Sequence, residues 1–167
     1  MGKKNHLHFA PENITLGVIT VSTTRTVKED KSGLWIQKQA HKEGLIIEAY
    51  KIVPDRRDLI VGAVTGVLLQ HDIHVLILTG GSGIGAADVT IEAVRPMFAK
   101  EMTSFASLFT WLSFEKIDSA ALLSRAAAGI IGKTAVFCLP GSLDACKLAC
   151  TELIFPEIKH IAAHLVS

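Results

Sequence analysis

Four glycines fall within six residues in Gly80-Gly81-Ser82-Gly83-Ile84-Gly85. Glycine tolerates positive φ and lets backbone N–H groups come close to a ligand. Where a strand turns into a helix, such N–H groups form a cradle for a phosphate or another anion. A bare turn needs fewer glycines, so Thr79, Gly80, Gly81, Ser82 and Gly83 read as a ligand site. A Walker A loop is excluded, because Ala86 stands where its phosphate-binding lysine is required. Gly81-Ser82-Gly83-Ile84-Gly85-Ala86 also fits G-x-G-x-x-A, which leaves an NAD-binding oxidoreductase as an alternative. That fingerprint wants a ribose-binding acid at a strand end about 20 residues on. The nearest acid, Glu101, lies in a segment that reads as helix or loop.

Two aspartates belong beside this loop. Asp55 follows Pro54 at the end of a strand, and Asp88 opens the helix after the glycines. A single carboxylate next to a phosphate would repel it. A pair suits Mg²⁺, which is typically held by one or two carboxylates plus substrate phosphates. Separately, Asp88 could be a helix cap and Asp55 a turn residue; their joint position favours function. Asp30, in Glu29-Asp30-Lys31-Ser32-Gly33, is either a third ligand-site acid or a solvated turn residue.

These residues must be brought together by the elements around them. Strand-like segments are expected at 14–21, 45–53, 73–78 and 134–139. Helical ones are expected at 32–44, 57–71, from about 88, at 104–114, at 119–129 and from 142 onward, with a break at Pro156. Residues 1–13 show no period and are expected to form an N-terminal arm, with one domain over 14–167. Strands alternating with helices predict a single three-layer α/β/α domain with a mostly parallel central sheet. Ligands then bind at the carboxyl ends of the strands. Four segments lie there: 22–33, 54–57, 79–88 and 140–142.

Composition narrows the function classes. The chain has 167 residues, 49% of them apolar, enough for one well-buried core. A net charge of +1 gives no global basic field for nucleic acid. No apolar run approaches the ~20 residues of a membrane span, and the N-terminus lacks a signal-peptide core. A cytoplasmic protein acting on a small anionic molecule is expected. Cys138, Cys146 and Cys150 form no C-x-x-C pair and read as core packing. His160 and His164 are four apart on the last helix and read as a surface or subunit-contact pair.

At this point the sequence resembles a family, the MoaB/MogA proteins of molybdenum cofactor biosynthesis. The resemblance rests on Asp30-Lys31-Ser32-Gly33, Pro54-Asp55, Thr79 to Gly83, Asp88-Val89-Thr90-Ile91-Glu92-Ala93, Leu112-Ser113-Phe114-Glu115-Lys116-Ile117, Leu123-Ser124-Arg125-Ala126 and Leu139-Pro140-Gly141-Ser142. It implies a molybdopterin-binding domain that forms trimers or hexamers. It also implies ATP- and Mg²⁺-dependent adenylylation of molybdopterin, which prepares it for metal insertion. Asp55 and Asp88 match the family's two functional aspartates and its metal site. Ser22, Asp30, Ser32, Gly33, the glycine loop and Pro140-Gly141-Ser142 match its ligand-binding segments. The chain departs from the pattern at Thr23, where Asp or Asn is common, and at Ala87 and Thr110, where Arg is usual. It departs again at Ser104-Phe105-Ala106, for Gly-Phe-Gly, and at Asp118, for Gly. Losing two arginines removes positive charge that would hold phosphates. This keeps open a non-catalytic molybdopterin carrier or scaffold. Phe105, Leu108, Phe109 and Leu112, with Trp111, form an apolar stripe suited to a subunit contact.

Overall fold

The computed structural model describes residues 11–166. Most of the expected N-terminal arm, residues 1–10, lies outside them. Six strands form one sheet in the order β2-β1-β3-β6-β5-β4. Strands β1 (Thr15–Val21), β2 (Ile46–Val53), β3 (Val75–Thr79) and β6 (Thr134–Leu139) run parallel; at one edge β5 (Ala127–Ile131) pairs antiparallel with β6, and β4 (Lys100–Glu101) antiparallel with β5. Every residue of β3 is buried, as its unbroken apolar run predicts for a central strand.

Alternating side chains feed two cores. On one face Leu16, Val18, Ile77 and Phe137 pack with α1 (Lys31–Lys42), α4 (Thr103–Ile117), α5 (Leu143–Ala149) and α6 (Phe155–Val166). On the other, Ile19, Leu76, Leu78 and Val136 pack with α2 (Arg57–Gln70) and the short α3 (Thr90–Val94). The result is the expected three-layer domain. β1 sits between β2 and β3, so the chain leaves β1 to one side and returns on the other. That reversal opens a crevice at the strands' carboxyl ends, where Val21 pairs with Val53, and Thr79 pairs with Thr20 on one side and Leu139 on the other.

Several expectations fail locally. The helix predicted over 119–129 is a 3₁₀ segment, Asp118–Leu123, followed by β5. Alanine favours helix in isolation, but tertiary packing overrides it. Small residues are needed under Phe98, since a Cβ on Gly129 would lie 2.3 Å from Phe98 Cγ. A two-residue turn, Gly132-Lys133, then joins β5 to β6, with Gly132 at φ +58°. The helix after the glycine loop begins at Thr90 and spans five residues, with Val89 rather than Asp88 as its cap. α1 is capped by Asp30, not Ser32. Pro156 does not break the last helix. A π-helical turn, Cys150–Ile154, joins α5 directly to α6, so Pro156 is accommodated within one continuous helical run just after that turn. The apolar stripe on α4 is divided: Phe105 and Phe109 are buried, whereas Leu108 and Trp111 are exposed.

Candidate functional site

The glycine loop is fastened from below. Gly80, at φ +102°, lies so close to β1 that a Cβ would sit 2.2 Å from the Val21 carbonyl oxygen. Its N–H donates to the Leu139 carbonyl at 3.0 Å. Its carbonyl accepts the Thr90 hydroxyl at 2.8 Å, and the Gly81 carbonyl accepts the Thr90 N–H at 2.8 Å. In a trans peptide the carbonyl and the next N–H point in opposite directions. Thr90 therefore turns the N–H groups of Gly81 and Ser82 away from itself. Among the described residues, the N–H groups of Gly81, Ser82, Gly83 and Ile84 donate to no one. The N–H groups left open to a ligand are thus those of 81–84, and Gly80 drops out because its N–H is already bonded. The five-residue α3 adds little helix dipole.

Asp55 and Asp88 flank this cradle at two points. Asp55 Oδ1 lies beside Gly81, where a Cβ would come within 3.0 Å of it. Asp88 Oδ2 lies 2.8 Å from the same position on Gly83 and accepts the Gly85 N–H at 2.8 Å. Asp55 Oδ2 accepts both the N–H and the hydroxyl of Thr23, at 2.7 and 2.8 Å. Each aspartate keeps one oxygen, Oδ1, with no hydrogen bond among the described residues. Two hard anionic oxygens beside a phosphate cradle fit the donor set that Mg²⁺ takes.

Other predicted residues lie beneath the site. Asp30 is fully buried and not a solvated turn residue. Its Oδ1 accepts the Gly33 N–H at 2.9 Å; its Oδ2 accepts the hydroxyls of Thr20, at 2.5 Å, and Tyr50, at 2.7 Å. With both oxygens bonded inside the fold, it supports the first loop instead of meeting a ligand. A side chain on Gly33 would strike Asp30 Oδ2. Ser32, also buried, donates to the Gly141 carbonyl at 2.9 Å. Ser22 Oγ accepts the Arg25 N–H at 3.1 Å and shapes the loop. Thr79 and Ser82 are buried too, with hydroxyls donating to the carbonyls of Pro140 and Arg125.

The Pro140-Gly141-Ser142 segment meets the glycine loop directly, since a Cβ on Gly141 would lie 3.1 Å from Gly80 Cα. Arg25 donates to the Gly141 carbonyl at 3.2 Å, which sets a guanidinium at the same junction. Ser142 caps α5 and lines a cavity of about 600 Å³ with Ser113, Lys116, Ser124 and Lys147. This space is large enough for a small polar ring system. The sequence reading missed Thr23, Arg25 and Thr90. Thr90 entered it only within the motif Asp88 to Ala93 and Thr23 only as a departure from the family pattern, while Arg25 had no signal.

The remaining titratable groups stand apart. The three cysteines are buried, and burial pushes the Cys138 thiol up to about 12. Protonated thiols in a core suit packing. His164 and His160 meet through their Nε2 atoms at 3.0 Å, and Glu157 lies 3.3 Å from His160 Nδ1. No group of three metal-ligating side chains forms among the described residues. No helix among them is long and apolar enough to cross a membrane.

Comparison with known proteins shows the family of the chain. A family described as a probable molybdopterin binding domain matches residues 17–160. Molybdenum cofactor biosynthesis protein B of Bacillus subtilis is 43% identical, over 99% of this chain and 98% of that protein. A probable molybdopterin adenylyltransferase of Methanocaldococcus jannaschii is 37% identical, over 95% and 98%. The crystal structure of the tungsten cofactor synthesizing protein MoaB from Pyrococcus furiosus superposes with a TM-score of 0.85 at 39% identity, covering 95% of this chain and 100% of that one.

Proposed function

The chain belongs to the family of probable molybdopterin binding domains, and from that premise we propose that it works in molybdenum cofactor biosynthesis as a molybdopterin adenylyltransferase. One observation carries this reading: four unbonded loop N–H groups, 81–84, stand between two aspartates that each keep a free oxygen. The N–H groups bind the phosphates of ATP. The adjoining cavity, with Lys116 and Lys147 on its wall, takes the pterin. An oxygen of the molybdopterin phosphate forms a bond to the α-phosphorus, the bond from that phosphorus to the bridging oxygen breaks, and pyrophosphate leaves. Asp55 and Asp88 would hold Mg²⁺, which neutralises phosphate charge. The protein's own contribution is positioning and fixed dipoles. The reaction belongs in the cytoplasm, and the exposed apolar face of α4 joins subunits into a trimer or a dimer of trimers.

The test is pyrophosphate release from ATP and molybdopterin by wild type, Asp55→Asn and Asp88→Asn. Each variant should lose about 10²–10³ in rate, typical of removing one charge-stabilising contact. The double variant should lose little more, because both residues serve one ion. A second reading, a carrier that binds without turnover, is favoured by Ala87 and Thr110, both exposed where arginines are usual. A wild type that binds molybdopterin but releases no pyrophosphate would establish it. Recovery of activity in Ala87→Arg would then locate the defect.

A further inference from the structure

Arg125 lies between the 3₁₀ segment and β5, outside every strand and helix, yet it makes three contacts, two with the glycine loop and one with α3. Its Nη1 donates to the Gly83 carbonyl at 3.0 Å. Its Nη2 pairs with the Glu92 carboxylate on α3. Its own carbonyl accepts the Ser82 hydroxyl at 2.9 Å. Thr90 fixes the carbonyls of Gly80 and Gly81 and so aims the next two N–H groups. The Gly83 carbonyl has no such partner on α3, and Arg125 supplies it. By the same trans-peptide geometry, holding that carbonyl points the Ile84 N–H the opposite way. The grip also reaches Asp88, whose Oδ2 accepts the Gly85 N–H and lies beside Gly83. Ser124, the preceding residue, lines the same cavity as Ser142. One peptide therefore joins the cavity wall to the brace on the cradle.

We propose that Arg125 is a positioning residue that aims the Ile84 N–H at the nucleotide phosphates and transmits occupancy of the Ser124-lined cavity to the glycine loop. This rests on the adenylyl-transfer reading. Glu92 anchors the guanidinium so that its other arm stays on Gly83. Lysine cannot replace this fork, because one ammonium does not span two acceptors in fixed geometry.

The experiment compares wild type, Arg125→Lys and Arg125→Ala, using ATP alone in calorimetry and ATP with molybdopterin in pyrophosphate release. Amide hydrogen exchange at Ile84 is followed in parallel. In Arg125→Ala, kcat should fall roughly tenfold, less than for outright loss of a donor to the reacting group. The molybdopterin Kd measured without ATP should stay within twofold, because only the coupling to ATP is lost, and Ile84 exchange should quicken. Arg125→Lys should fold like wild type yet show most of the kcat loss. Millimolar guanidinium should restore part of the rate to Arg125→Ala but none to Asp88→Asn. Molybdopterin should tighten ATP binding in wild type and lose that effect in both Arg125 variants. Wild-type kinetics and exchange in both variants, with wild type itself active, would overturn this inference alone. A kcat loss in Arg125→Ala that Arg125→Lys fully repairs would also overturn it, since charge rather than the fork would then suffice. A wild type that binds no ATP would overturn the adenylyl-transfer reading together with it.

Discussion

Thr23 holds Asp55 with two donors on a single carboxylate oxygen, its N–H at 2.7 Å and its hydroxyl at 2.8 Å. The other oxygen, Oδ1, faces Gly81. The side chain that departs from the family pattern is thus the one that orients the proposed metal-binding acid. Removing the hydroxyl in Thr23→Ala should lower adenylyl transfer about tenfold, within the range for a hydrogen bond to a charged group. The residue is exposed, so urea-unfolding stability should change by less than about 1 kcal/mol. Thr23→Ser should restore the rate. Equal rates for Thr23→Ala and wild type would mean that the backbone N–H alone places Asp55.

Asp118 ends α4 at φ +50° and ψ −140°. A Cβ is strained in that region, and glycine is not. Asp118→Gly should raise stability by about 1 kcal/mol in chemical denaturation. A lower unfolding midpoint would show that the aspartate side chain contributes more than the strain costs.

Tyr50 gives a pH dependence of stability at the alkaline end. Burial, then the hydrogen bond and negative charge of Asp30, raise its phenol above the ordinary 10.0. The unfolded chain therefore releases this proton first. The stabilisation is complete below about pH 10 and is lost as pH rises toward the folded-state value. Tyr50→Phe should flatten stability against pH above 10, while lowering it at neutral pH through loss of a donor to Asp30. A wild-type profile as flat as that of the phenylalanine variant would contradict this.

Trp111 is 58% exposed, and Leu108, Phe114, Ile117, Leu122 and Leu123 are exposed around it. Contiguous apolar surface of this kind marks an interaction face. Trp111→Glu should convert the proposed trimer to smaller species in light scattering, with circular dichroism unchanged. A monomeric wild type at micromolar concentration would contradict the assembly.

The legible parts of the fold share one property: the pattern is local. β3 could be placed because four consecutive apolar residues, Val75 to Leu78, require burial on both sides, and α2 because its stripe repeats along one face. β5 was hidden. Its alanines match helix propensity, and only packing under Phe98 makes it a strand. In the site, Gly80 to Gly85, Asp55 and Asp88 announced themselves by residue type at strand ends. Asp30 was legible as a special residue but not as a buried one, because its partners Thr20 and Tyr50 arrive from two other strands. The partners of Thr23 and Arg125 were hidden for a similar reason. Each acts across more than thirty positions of sequence, on Asp55 and on Gly83, and no spacing rule links such pairs.

Thr20 and Asp30, ten residues apart, are joined at 2.5 Å, and Tyr50 fastens the same carboxylate. The first loop is therefore tied off at its neck, whatever its tip contains. Thr26, Val27, Lys28 and Glu29 at that tip are exposed, whereas Ser22, Thr23 and Arg25 do the work of the site. Doubling the length of such a loop costs only about 0.6 kcal/mol of closure entropy. Residues 26–29 are thus where this chain can accept an insertion, whether a lineage-specific extension or an engineered peptide tag, while Asp55 keeps its place at the glycine loop.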